Sequence, residues 1–157
     1  MKNDFVADEI VRAIWVAIDG CMNRIGSVID GDARRLIIEK GIKDRGDFYQ
    51  NSGYAVTASG DSVNLAVGSN VKHEPYVLGG KVPSWTPLAP LKAWVERKNL
   101  NWTDKVSGKE LSVEQMAYMI RGKIKREGIA ARNVFDEVIR NKEAWIYSQL
   151  QNIEVAL

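Results

Sequence analysis

The residues able to do chemistry are few. The chain has one cysteine, Cys21, and one histidine, His73, in 157 residues. A single cysteine excludes an internal disulfide and a cysteine-rich zinc site, and a single histidine excludes any mechanism needing two in one chain. His73 stands beside Glu74, ahead of Pro75. Such a pair could serve as acid and base, but that work needs an orienting partner and a substrate pocket. No neighbouring residue pattern supplies either, and the plainer reading is a histidine making one hydrogen bond at or near the surface. Cys21 precedes Met22 within an apolar-periodic run and reads as a small buried hydrophobe. A nucleophile there would need a base and a depressed pKa. Asp30 and Asp32 flank Gly31, yet the glutamate that closes a calcium loop is missing. They read as solvated acids beside a helix break. Gly79-Gly80 opens no phosphate-cradling helix, and no GxxxxGK[ST] loop occurs. The residues therefore specify no catalytic set, no metal and no cofactor, and the expectation is a protein that is not an enzyme.

Two groups could bind rather than react. Arg121, Lys123, Lys125 and Arg126, with Glu127 and Arg132, give residues 121–132 a net charge of +4. A capped basic helix followed by a glycine turn fits a helix-turn-helix reader of DNA. A solvated helix face is the plainer reading, since the basic residues fall on more than one side, followed by a contact for an acidic partner or phosphates. The second group is tryptophan. Trp85 and Trp102 stand in polar or proline-rich loops, whereas Trp15, Trp94 and Trp145 fit helical stripes. Large aromatics in loops either mark protein–protein contacts or pin the loop over the core. Both readings stand at this point.

Stepping from these residues to the elements that hold them, length and composition imply one ordinary globular domain, 1–157. Hydrophobic residues make up 45% and charged residues 27%, and the net charge is only +2. That balance gives no general pull toward nucleic acid or membrane. No apolar run is long enough to cross a bilayer, and MKNDFVADEI lacks the apolar core of a secretory signal. A soluble cytosolic protein is expected.

Ile10, Ile14, Ile18, Met22, Ile25, Ile29 and Leu36 recur at helical spacing, predicting a helix over residues 5–40 within segment 1–41, with Gly41 as its stop. Gly20, Gly26 and Gly31 lie inside it, each costing about 1 kcal/mol against alanine. A kink or break near Gly31 is expected; an unbroken helix would have to project toward a partner. Residues 53–78 read as β structure: strands around Tyr54–Ala58 and Val63–Val67 joined by Ser59-Gly60-Asp61-Ser62, with Val71–Leu78 as an edge strand. Residues 79–90 form a Pro/Gly-rich loop. The helical part spans 87–152. Thr86-Pro87 resembles a helix start running to about Lys98, with Leu91, Trp94 and Val95 inward. Ser112-Val113-Glu114-Gln115 is a capping box that opens a helix over Val113–Glu127, ended by Gly128. A last helix covers about Asn133–Asn152. The fold class is α+β: a long N-terminal helix, a small antiparallel sheet of a hairpin plus an edge strand, and three C-terminal helices.

Four stretches in this order resemble one family. They are Asp44–Ser52 (DRGDFYQNS) after the long helix, Val67–Val71 with Tyr76–Gly80 around a strand pair, Pro83–Lys98 (PSWTPLAPLKAWVERK), and Met116–Ile129 (MAYMIRGKIKREGI) leading into Ala131–Phe135. Together they span most of residues 41–150. The pattern resembles the tail-completion, or head–tail joining, proteins of long-tailed double-stranded-DNA bacteriophages, the neck proteins also labelled minor tail components. Two positions depart from it: Arg45-Gly46 stands where the family has Thr-Gly, and Asn133-Val134 where a proline precedes the phenylalanine.

The resemblance implies a structural virion protein without a reaction or cofactor. Such proteins form homo-oligomeric rings, commonly hexamers, between the head connector and the tail. Implied partners are a head connector, stopper or portal-proximal adaptor on one face and a tail terminator or tail tube protein on the other. Genomic DNA would pass through the lumen without sequence-specific binding, and no membrane is involved. The implied location is the virion neck, assembled in the bacterial host cytoplasm. On this reading Tyr76, Trp85 and Trp102 are candidate subunit contacts. Arg121, Lys123, Lys125, Arg126 and Arg132 are candidates for an acidic neighbour or passing DNA. A tail terminator, a small DNA-binding regulator built on residues 112–132 and an enzyme built on His73 and Glu74 are the alternatives.

Overall fold

The computed structural model describes residues 2–42, 47–71 and 77–155, with side chains from residue 7 onward. Helix α1 (Lys2–Glu39) is followed by a one-turn helix α2 (Asp47–Gln50), strands β1 (Ser52–Ser59) and β2 (Ser62–Ser69), and helices α3 (Leu88–Arg97), α4 (Val113–Glu127) and α5 (Val134–Gln151). The mixed helix-and-sheet class read from the sequence is the one observed. The chain divides into two compact units, 1–74 with 133–157, and 75–132, which is a finer partition than the single 1–157 domain expected.

In the first unit α1 is uninterrupted through 38 residues, about 57 Å at 1.5 Å per residue. The break expected near Gly31 does not occur. Ile29, Ala33 and Ile37, on either side of it, are fully or almost fully buried. The Asp30–Arg34 ion pair, 2.8 Å, spans Gly31 on the helix surface. Burying each isoleucine contributes about 1.5–3 kcal/mol, which outweighs the glycine cost. The helix stops where the sequence indicated. The amides of Gly41 and Ile42 donate to the carbonyls of Ile38 and Ile37 at 3.0 Å, the paired bonds of a Schellman ending.

The hairpin pairs Tyr54 with Val67, Val56 with Leu65 and Ala58 with Val63, so one face carries the apolar set. That face lies on α1 at Gly26, where a Cβ would come within 2.7 Å of the Tyr54 ring and 2.8 Å of Leu65. Arg34 fixes the entry to the sheet. Its guanidinium donates to the Tyr49 carbonyl at 3.0 Å and to the Ser52 carbonyl, and lies 5.3 Å from the Tyr49 ring centroid. On the other side α5 runs antiparallel to α1. Contacts pair Lys40 with Glu137, Asp32 with Lys142 at 3.0 Å, and the Cys21 thiol with the Gln149 carbonyl at 3.4 Å. Phe48 and Phe135 meet in the core, with ring centroids 6.2 Å apart. Asn133 caps α5 by accepting from the Asp136 amide.

The edge strand expected over Val71–Leu78 is corrected. Val77 and Leu78 are helical, residues 72–76 lie outside those described, and the sheet of the described residues has two strands. Val77 and the loop after it bond inside the second unit. The Arg132 amide donates to the Val77 carbonyl at 2.9 Å, and Lys81 and Ile129 exchange two amide–carbonyl bonds at 2.7 and 2.9 Å.

The second unit packs α3 on α4 around Val95, Met116 and Ala117, with Leu91, Trp94 and Ile120 against them. Helix α4 has the bounds its capping box indicated: Ser112 Oγ accepts from the Gln115 amide, and Gln115 Oε1 accepts from the Ser112 amide. Helix α3 starts later than expected. Pro87, not Thr86, is its N-cap, no side chain caps it, and the Thr86 hydroxyl is buried without a hydrogen-bond partner.

Candidate functional site

The basic residues of α4 separate by helical spacing. Arg121 and Lys125, four apart, share a face. Trp85, carried on the loop before α3, lies against both: the Arg121 guanidinium is 4.3 Å from the ring centroid and the Lys125 ammonium 5.2 Å. Arg121 also lies 4.5 Å from the ring of Tyr118, one turn back. A guanidinium against two aromatic rings still offers planar N–H donors suited to carboxylate or phosphate.

The loop bearing Trp85 is tied at its base. The Lys81–Ile129 bridge clamps it to the chain leaving α4. The crossing is tight enough to require glycine on both strands: Gly80 at φ +72 and Gly128 at φ +74 each bring the opposite backbone into the space of a Cβ. Trp85 is still 62% exposed, with Val82 and Ile129 exposed beside the clamp and Tyr118 and Met119 on α4. Trp85 does not pin its loop over the core: its ring lies at the surface against Arg121 and Lys125.

The remaining predicted residues lie elsewhere. Lys123 and Arg126 both approach Glu127, at 3.9 and 3.5 Å, away from Trp85. Arg132 is exposed and is used through its backbone amide. Trp102 borders a separate shallow groove with Leu111, Val106 and Met119. One wall of that groove is a turn organised by Asp104, whose carboxylate accepts from the Ser107 amide, the Ser107 hydroxyl and the Val106 amide at 2.6–3.1 Å. Those bonds, led by the Ser107 amide, hold the Asp104 carboxyl below its ordinary pKa. Tyr76, His73 and Glu74 lie outside the described residues.

Sequence reading missed Tyr118, although its spacing of three from Arg121 was a usable signal. It placed Ile10 and Ile14 on one apolar face of the long helix. Both are 39% exposed and Val11 is 52% exposed. Among the described residues, α5 bonds to α1 at Cys21 and Arg24 through Gln149, and beyond its end Glu154 borders a shallow pocket with Glu9, Arg12 and Val16 of α1. The turns of α1 before that extend past the end of their helical partner with the apolar stripe still running.

Asp30 and Asp32 are engaged with Arg34, Arg35 and Lys142. Among the described residues no group of three or more His, Cys, Asp or Glu is arranged to hold a metal. No described helix is long and apolar enough to cross a membrane. In comparison with known proteins, the chain matches no family model, no curated protein and no solved structure.

Proposed function

We propose that this chain is a structural subunit of a bacteriophage neck, forming a homo-oligomeric ring that joins the head connector to the tail around the DNA channel. The observation that carries the reading is the continuation of α1's apolar stripe, Ile10, Val11 and Ile14, beyond the end of α5. A helix that keeps exposed isoleucine and valine at helical spacing supports a role completed by another subunit, because side chains left two-fifths to one-half exposed forgo a corresponding part of the about 1.5–3 kcal/mol that full burial gives. The sequence resemblance to tail-completion proteins supplies the identity of the assembly. The aromatic–basic face around Trp85 and Arg121 supplies a second contact surface.

The testing measurement is mass by light scattering on the purified protein, alone and with tailless heads or isolated tails of its phage. A ring alone, or a monomer incorporated only with those neighbours, is the expected result. A monomer or dimer that joins neither, and binds duplex DNA with an affinity falling steeply in salt, would replace the reading with that of a DNA-binding regulator.

A further inference from the structure

The chain carries two exposed apolar surfaces that differ in charge. The first is the leading part of α1. Residues 7–19 hold Asp8, Glu9, Asp19 and Arg12, a net charge of −2, around the exposed Ile10, Val11 and Ile14. The second is the outer face of α4, a helix of net charge +2, with Arg121, Lys123, Lys125 and Arg126 against Glu114 and Glu127. At the centre of that outer face is Gly122. By helical spacing it is bordered by Tyr118 and Met119 one turn before and by Lys125 and Arg126 one turn after. A Cβ at Gly122 would meet nothing within 4 Å, so nothing among the described residues calls for glycine there, and alanine would be the better helix former. A glycine ringed by two apolar and two cationic side chains forms a hole into which a facing helix can set a branched side chain.

We infer that the leading turns of α1 from one copy of this chain dock on the outer face of α4 in a second copy. Ile10 or Ile14 would enter the hole at Gly122, with the acidic flanks of α1 against Lys123, Lys125 and Arg126. The two surfaces differ, so the contact is head-to-tail, and repeating it builds a closed ring or an open filament according to the rotation it imposes. This rests on the homo-oligomeric reading above and assigns the subunit contact that reading leaves open. A second copy fits better than nucleic acid because the α4 surface presents exposed Tyr118 and Met119 beside its charge, and because the chain itself carries an apolar helix of opposite sign.

The test uses sedimentation of the full chain across a concentration series. In one variant Asp8→Lys and Glu9→Lys turn residues 7–19 from −2 to +2. In another, Lys123→Glu, Lys125→Glu and Arg126→Glu turn residues 121–132 from +4 to −2. All five side chains are exposed, and Arg121 keeps its place on Trp85. Each variant alone is expected to weaken self-association about 100-fold, since like charges then face each other across the contact. An equimolar mixture of the two, or one chain carrying all five changes, is expected to associate again. Gly122→Leu is expected to abolish association while thermal stability stays at or above that of the parent chain. Association unchanged in the charge variants overturns this contact but leaves the ring reading standing, as that is decided by incorporation with heads and tails. Association lost and not recovered in the mixture overturns it as well, as does a parent chain that stays monomeric at every concentration.

Discussion

The guanidinium of Arg121 lies 4.3 Å from the ring centroid of Trp85, so a side chain on α4 and one on the loop before α3 form a single surface. The contact is peripheral, and its intrinsic energy is small, about 0.5–1 kcal/mol for an exposed cation on an indole. Its consequence is positional: the loop is already clamped at Lys81 and Ile129, and the stack sets the ring's orientation on that clamp. A double-mutant cycle of Trp85→Ala and Arg121→Ala, followed by urea unfolding, is expected to give a coupling of about 0.5–1 kcal/mol. Coupling indistinguishable from zero would mean that the two side chains are neighbours without mutual orientation.

Much of this arrangement was legible locally. The capping box at Ser112 and Gln115 set the start of α4, Gly128 its end, and alternation about Ser59–Ser62 set the hairpin. These signals rest on bonds between residues three or four apart, or across a two-residue turn, and the sequence states them directly. What was not legible depends on distant partners. Val77 and Lys81 bond to Arg132 and Ile129 across the whole of α3 and α4, and no local pattern announces that pairing. Sequence alone leaves Trp85 open between a partner contact and a ring pinned over the core, because its cations lie on a helix far along the chain. Gly31 was read as a break because propensity was visible, whereas the burial of Ile29, Ala33 and Ile37 beside it was not.

Two glycines of α1 should respond to alanine with opposite signs. At Gly26 the new Cβ meets Tyr54 and Leu65 across the hairpin contact, while at Gly31 it meets nothing within 4 Å. Gly26→Ala is expected to cost about 1–3 kcal/mol by overpacking, and Gly31→Ala to stabilise by up to about 1 kcal/mol through helix propensity. Thermal unfolding of the two variants checks this. A Gly26→Ala chain as stable as the parent would show that the hairpin is not seated on α1.

Arg34 makes three kinds of contact that no other side chain can combine: an ion pair with Asp30, hydrogen bonds to the Tyr49 and Ser52 carbonyls, and a face on the Tyr49 ring. Arg34→Ala is expected to destabilise by about 2–3 kcal/mol, since charged hydrogen bonds are worth about 1.5–3 kcal/mol and the site is partly exposed. Arg34→Lys should recover less than half, because an ammonium has no planar fork to divide between Asp30 and two carbonyls. Urea unfolding measures both. Full recovery by lysine would assign the residue a charge role only.

The turn beside Trp102 is expected to be acid-sensitive, and the sign follows from Asp104. Its carboxylate is held below the ordinary value chiefly by the Ser107 amide, then by the Ser107 hydroxyl and the Val106 amide. The charged form is thus the one the folded turn favours. Its contribution is fully present above the ordinary carboxylate pKa and is lost as pH falls through the lowered one. The Ser107 amide proton, followed by NMR from neutral pH downward, should hold its hydrogen-bonded shift until below the ordinary carboxylate value and then move toward the free position. In Asp104→Asn the amide should show no such titration. Because the turn walls the groove with Met119 and Leu111, the indole signal of Trp102 should move over the same range. A Trp102 signal that ignores the transition would mean that the aromatic is held by Leu111, whose amide donates to its carbonyl at 2.8 Å, and not by the turn.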